Sequence, residues 1–163
     1  MIITPRSSFT RPANTDAYHT NDLVANSATA GSVIPLTFSV ARMSLGRGSI
    51  RRAILFKDDE TTTNANFNLH LFTQAPTVTN GDGGAFAVDT CRYFLGTLAF
   101  DMTSGAFATT TDLVKGVVAN PELNFDLHSI SDSERRMFGF LQAAAAYGPA
   151  SEELFEVTLE ITS

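Results

Sequence analysis

The sequence predicts an all-β chain, a single-domain antiparallel β-sandwich or jelly roll with an extended N-terminal arm, and three observations predict it. Apolar and polar residues alternate with a period of two in several short segments, the mark of half-buried strands. Gly, Pro and Asn punctuate the chain at short intervals. No 10–15-residue helical pattern separates the strands, which argues against an α/β sheet. With 163 residues, the chain fits one domain and can bury a core without a metal or a disulfide. Residues 1–21 read as an N-terminal arm or edge strand, and 22–163 as the sandwich.

Pro5, Pro12, Asn14 and Asp16 confine the opening to turns and one edge strand near Ser7–Arg11. Asp22–Asn26 is a short strand, and Leu36–Ala41 alternates after the Ala30-Gly31-Ser32 break. Ser49–Lys57 follows the Gly46-Arg47-Gly48 turn, with Ile50, Arg52, Ile54 and Phe56 on one face and Arg51, Ala53, Leu55 and Lys57 on the other. It reads as buried on both sides near its end. Asn66–Phe72 alternates most cleanly, with Phe67, Leu69 and Leu71 inward and His70 outward. Pro76 and Asn80–Gly84 make a long turn whose glycines admit positive φ. One helical turn is expected within Ala85–Arg92, where Phe86, Val88 and Cys91 do not alternate. Strands are expected again at Tyr93–Met102, Ala106–Thr111, Lys115–Ala119 and Leu123–Ile130. Glu134–Tyr147 has good helix propensity in its alanine run, but Phe138, Gly139 and Phe140 favour a strand. Phe155–Ile161 alternates strictly.

Composition bounds the function. Charged residues are 17% of the chain and the net charge is -6, a balance that repels phosphate and gives no counterion release to nucleic acid. Thr, Ser, Asn, Ala and Gly fill the deficit, as in Thr61–Asn66. Such short side chains lose little entropy when ordered, which suits a surface set against a neighbour. The single Cys91 forms no internal disulfide, the N-terminus lacks the apolar stretch of a signal peptide, and no apolar run approaches the roughly 20 residues needed to cross a bilayer. No membrane partner is expected.

No spacing specifies catalysis, a cofactor or a metal. Gly46–Ser49 and Gly81–Gly84 lack the phosphate-loop and dinucleotide patterns and read as turns. His19, His70 and His128 stand far apart, and Cys91 has no partner for a zinc site. Asp58, Asp59, Glu60 and Asp82 read as solvated turns rather than a calcium site. Glu122, Asp126 and Glu134 are carboxylates that no motif singles out for glycoside hydrolysis. Asp126, His128, Ser129 and Asp132 contain triad residue types, but strand neighbours point to opposite faces. The one concentration of positive charge is Arg42, Arg47, Arg51 and Arg52, which either contacts an acidic partner or pairs with Asp58, Asp59 and Glu60. Ile2, Ile3 and Phe9 on the opening segment, with Arg51 and Arg52, are the candidate protein-interface residues. The segment either wraps a partner or completes the sheet as an edge strand.

Two stretches carry a resemblance. Thr10-Arg11-Pro12-Ala13-Asn14-Thr15-Asp16-Ala17-Tyr18, followed by Asn21–Ser27, resembles the opening of small structural proteins of tailed bacteriophages. Ala145–Glu152, followed by Phe155–Leu159, is similar to the ending of the same group, with Gly148 where Thr is usual. Together they bracket the chain, and the middle matches only in style. The resemblance implies a non-enzymatic virion component made in the host cytoplasm, a capsid decoration (cement) protein on the capsid exterior. It would be a β-sandwich bound to the major capsid protein and to itself, often as a homotrimer, and it carries over no catalytic residue. A tail or fibre-base adaptor and a glycan-binding sandwich are the alternatives. The absence of Trp weakens the second, leaving Tyr18, Tyr93 and Tyr147 as aromatic candidates.

Overall fold

The computed structural model describes residues 1–40, 46–104, 115–127 and 135–162. It is all-β. Its strands are β1 (Ile2–Ile3), β2 (Arg6–Thr10), β3 (Leu23–Val24), β4 (Leu36–Ser39), β5 (Arg47–Lys57), β6 (Asn66–Phe72), β7 (Phe94–Asp101), β8 (Lys115–Ala119), β9 (Leu123–Asp126), β10 (Arg136–Ala143) and β11 (Leu154–Thr162). A 3₁₀ turn at Ala30–Ser32 precedes β4.

Two antiparallel sheets pack as a sandwich. In the six-stranded sheet, β1 and β2 follow one another along β11, β11 pairs with β5, and β9 and β8 follow one another along the far side of β5. In the five-stranded sheet, β3 and β4 lie along β10, and β6 and β7 complete the order. When strands sharing one neighbour are counted as single ribbons, each sheet is four ribbons wide. The chain lays one edge of each sheet, crosses to β5 and β6, lays the opposite edges as β7 and β8–β9, and returns between them as β10 and β11, which is jelly-roll wiring.

Prolines explain the broken ribbons. Pro5 separates β1 from β2; it has no N–H to donate, yet its carbonyl accepts from Leu159 N at 3.0 Å. Pro121 stands between β8 and β9. The opening segment is thus an edge strand of the sheet over residues 2–10, with Ile2 opposite Thr162 and Thr10 opposite Leu154.

The inward residues of both sheets form one core, among them Leu55, Phe67, Leu69, Phe100, Met137, Phe155 and Leu159. Clean alternation in β6 and β11 places Phe67, Leu69 and Leu71, and Phe155, Val157, Leu159 and Ile161, inside. β5 departs from the expected faces. Glu160 pairs with Arg52 and Ile161 with Ile50, so Arg51 is the extra residue of a β-bulge. The bulge turns Ile50 into the core beside Ala53 and Leu55 and leaves Arg51 and Arg52 both outside.

The ambiguous segment before Tyr147 is the strand β10, paired on both sides. Met137, Leu141 and Ala143 face the core, while Phe140 points the other way. Gly139 fits closely there: a Cβ would lie 2.9 Å from Leu69 Cδ1 and 3.3 Å from the Phe38 ring. Phe140 belongs to a second apolar cluster with Leu23, Ala25, Phe72 and Val78 on the outer side of the five-stranded sheet, covered by Val33, Phe86 and Val88.

That cover corrects the helical turn expected within Ala85–Arg92. Residues 77–89 double back on themselves, with Val78 bridged to Val88, Thr79 N bonded to Ala87 O at 3.0 Å and Asp89 N to Thr77 O at 2.9 Å. Ala85 bridges to Asp22 and Phe86 N reaches Asn21 O at 2.8 Å. These amides go across the chain because Phe86 and Val88 must both reach the sheet below. The strand expected at Ala106–Thr111, and the His128, Ser129, Asp132 and Glu134 positions, lie outside the described residues.

Candidate functional site

The chemistry-bearing side chains gather at one end of the sandwich, where residues 11–21 and 144–153 run side by side. Tyr18 and Tyr147 exchange backbone hydrogen bonds of 2.8 and 3.1 Å. Their rings are buried and parallel within 7°, with centroids 6.3 Å apart. Each hydroxyl then turns to its own buried carboxylate.

On one side Tyr18 Oη donates to Asp82 Oδ1 at 2.6 Å and accepts from Arg11 Nε at 2.8 Å. Arg11 Nη2 reaches Asp82 Oδ2 at 3.3 Å and Asn14 Oδ1 at 2.8 Å. Its Nη1 donates to the carbonyls of Asn14 and Ala150, and its guanidinium lies 5.2 Å from the Tyr18 ring centre. Ala25 N adds a third donor to Asp82 at 2.8 Å. Buried Arg satisfied by planar, forked contacts is the favourable way to place that charge inside.

On the other side Tyr147 Oη donates to Glu153 Oε1 at 2.7 Å, and Lys57 Nζ approaches the same oxygen at 2.9 Å. The Lys57 and Glu153 side chains are both 0% exposed. Lys57 also donates to the Asp59 carbonyl, stands 3.6 Å from its carboxylate and lies 5.3 Å from the Tyr147 ring centre. Among the described residues, none donates a hydrogen bond to Glu153 Oε2. The two halves repeat one plan: cation, carboxylate, hydroxyl and ring.

Burial drives the titration behaviour. It pushes the Tyr18 and Tyr147 hydroxyls far above the usual phenol range, reinforced by the charges of Asp82 and Glu153 respectively. Burial also pushes the Glu153 carboxyl up, against the opposing pull of Lys57 and Tyr147. Burial would raise Asp59 too, but hydrogen bonds from Thr61 and the charge of Lys57 outweigh it and hold that carboxyl low.

Asp82 was expected in a solvated turn and is instead the centre of this network. The glycines around it explain how. A Cβ on Gly81 would fall 2.1 Å from Ala28 O, so only glycine lets the two loops close. Asp82 N then bonds Ser27 O at 2.7 Å and Gly83 N bonds Leu23 O at 2.9 Å. Arg11 and Asp82 are 71 positions apart, and no local pattern links them.

The candidate interface residues divide. Ile3 and Phe9 pack against the core, and Phe9 stacks on Phe155 at 5.6 Å. Ile2 projects outward and is 66% exposed. Arg51 and Arg52 are exposed on the outer side of the six-stranded sheet, paired with Glu122 at 3.9 Å and Glu160 at 3.1 Å. Arg47 pairs with Asp126 at 2.8 Å. Glu160 and Asp126 stand on the neighbouring strands and Glu122 in the turn before β9, so these partners are not Asp58, Asp59 or Glu60. Asp58 instead accepts from Leu154 N at 2.7 Å.

His70 faces outward as expected, but Phe86 stacks on it at 4.8 Å, and its ring nitrogens meet Thr97 Oγ1 at 2.8 Å and Gln142 Oε1 at 2.9 Å. Among the described residues no group of three or more His, Cys, Asp or Glu side chains is placed to hold a metal ion, and no helix is long and apolar enough to cross a membrane. No protein-family model matches the chain, and no curated protein matches it.

Proposed function

We propose that this protein is a bacteriophage virion component that decorates and stabilises a capsid shell by binding the major capsid protein, without catalysing a reaction. The observation that carries this reading is where its polar chemistry is spent. Arg11, Asp82, Lys57 and Glu153 are consumed in internal ion pairs, with Tyr18 and Tyr147 closing them. A catalytic group must instead meet a substrate within hydrogen-bond reach. What remains outward is sheet surface with short polar side chains, exposed ion pairs and scattered apolar residues, the material of protein contact.

The resemblance to tailed-phage structural proteins supports the same reading. The two stretches that carry it are the ones that meet at Tyr18 and Tyr147, so the shared residues have a physical role in tying the chain's first and last segments together. A small sandwich held this way suits repetition on a shell, where modest contacts multiply through effective concentration.

The test is cosedimentation of the purified protein with undecorated shells, followed by heating or dilution of the loaded particles. Saturable binding at micromolar concentration and greater resistance of the loaded shells is the expected result. Shells that bind none of it exclude the role, and binding confined to tails would move the protein to an adaptor position.

A further inference from the structure

The two buried halves differ in one chemical respect: the cation beside Asp82 is a guanidinium, and the one beside Glu153 is an amine. A guanidinium keeps its charge in proteins, whereas a lysine amine that gives up a proton is a nucleophile. Lys57 Nζ stands 2.9 Å from Glu153 Oε1, and both side chains are fully buried. One C–O bond of ~1.2 Å further on, Glu153 Cδ lies within about 4.1 Å of Nζ, so a shift of under about 1 Å reaches the near-attack range of roughly 3–3.5 Å.

The fold holds these groups from both sides. β5 ends with Lys57 opposite Phe155, two residues past Glu153. Beside them Asp58 N donates to Leu154 O at 3.2 Å, and Leu154 N donates to Asp58 Oδ1 at 2.7 Å. Tyr147 closes the site, its ring set edge-on to Phe67 at 5.2 Å, and Phe67 meets Phe155 at 5.3 Å in the same way. An ion pair walled off like this is costly to keep, and a neutral amide in its place removes both charges. Exclusion of water also protects a bond formed there from hydrolysis.

We propose that Lys57 and Glu153 condense into an intramolecular isopeptide bond, Nζ to Cδ, with Tyr147 and Asp59 promoting the reaction. The ammonium gives one proton to the Glu153 carboxylate, leaving an amine beside a neutral acid, the form that burial favours for Glu153. The Nζ lone pair attacks Cδ, and negative charge gathers on Oε1, where Tyr147 Oη donates at 2.7 Å. The Asp59 carboxylate, 3.6 Å from Nζ, takes the second proton from nitrogen and passes it to the departing Oε2. Among the described residues none donates to Oε2, so it is the oxygen free to leave as water. Three protons on nitrogen end as one on the amide and two on the water, and one cation and one anion vanish together.

The bond joins positions 96 apart and ties the end of β5 to the loop before β11. It uses no outside substrate or cofactor and does not depend on shell binding. The ion pair is the state from which it forms, so the pair's effects on stability are those of the unlinked chain.

The experiment is intact-mass spectrometry of the full chain, freshly purified and after storage at neutral pH, followed by trypsin digestion. The expected result is a mass one water below that of the unlinked chain, with the peptide holding Lys57 joined to the peptide holding Glu153. Lys57→Arg is expected to lose no water. Tyr147→Phe is expected to form the linked product about a hundredfold more slowly, the scale of one lost donor to a developing oxyanion. A wild type that keeps its unlinked mass throughout overturns the proposal, whether or not any variant folds. So does a water lost between other residues, or a loss that persists in Lys57→Arg. Equal rates in Tyr147→Phe and wild type overturn the part assigned to that hydroxyl.

Discussion

Tyr18 and Tyr147 pair through their backbones and set their rings parallel, and from that shared centre each hydroxyl reaches a different buried carboxylate. Residues near the two ends of the sequence thereby fix two loops that local sequence alone leaves free. The consequences can be measured one group at a time.

Removing the Tyr18 hydroxyl leaves Asp82 with Arg11 and the Ala25 amide, so Tyr18→Phe should cost about 1–2 kcal/mol. Removing that of Tyr147 leaves Glu153 with Lys57 alone, and Tyr147→Phe should cost at least as much. Urea unfolding of the two variants checks the order. Equal stability of Tyr147→Phe and wild type would show that the hydroxyl contributes nothing.

Lys57→Met strands a buried carboxylate and is expected to destabilise by about 3–5 kcal/mol. Combining it with Glu153→Leu removes the stranded charge, and the double variant should recover most of that loss. A double variant no better than the single one would mean that the pair is not coupled in the folded protein.

Stability should depend on pH through Glu153. Its carboxyl is raised above its ordinary 4.5 by burial, so between the ordinary and the folded value the native state holds a proton that the unfolded chain has released. That contribution is fully present below 4.5 and is lost as pH rises through the folded value. Asp59 and Asp101 act oppositely: both are held below 3.8, and what they add is lost as the solution becomes more acidic. Urea midpoints over about pH 4 to 8 should therefore decline on the alkaline side for wild type and flatten in Glu153→Gln. An identical slope in that variant would assign the decline to another group.

Gly139 and Gly81 are close-approach positions of different kinds. Gly139→Ala pushes a methyl into Leu69 and Phe38, flexible side chains that can yield, at a cost of about 1–3 kcal/mol. Gly81→Ala meets the Ala28 backbone carbonyl, which cannot rotate away. It should cost more and should raise amide exchange at Asp82 and Gly83, whose partners are Ser27 and Leu23. Exchange that stays slow there would contradict the close approach.

The sandwich was legible wherever one residue in two is apolar. β6, β11 and the inward half of β5 follow from alternation, and β10 follows once Gly139 and its flanking phenylalanines are read as strand residues. The Arg51 bulge was not legible, because an extra residue leaves no mark in a pattern read along one strand. Residues 85–92 misled because Phe86 and Val88 face a second apolar cluster that exists only once the sheet is built. The Arg11–Asp82 and Lys57–Glu153 pairs were hidden by separation: their partners lie 71 and 96 positions apart. Proline-rich and glycine-rich turns usually mean solvent, and here they carry the buried Arg11, Asp82 and Glu153, while Lys57 ends β5.

The most direct measurement is electron-microscope imaging of particles carrying the protein. A decoration role predicts density for this sandwich repeated over the outer surface of the shell, in register with the major capsid protein. Density confined to a few copies at the tail, or none on the particle, would contradict it.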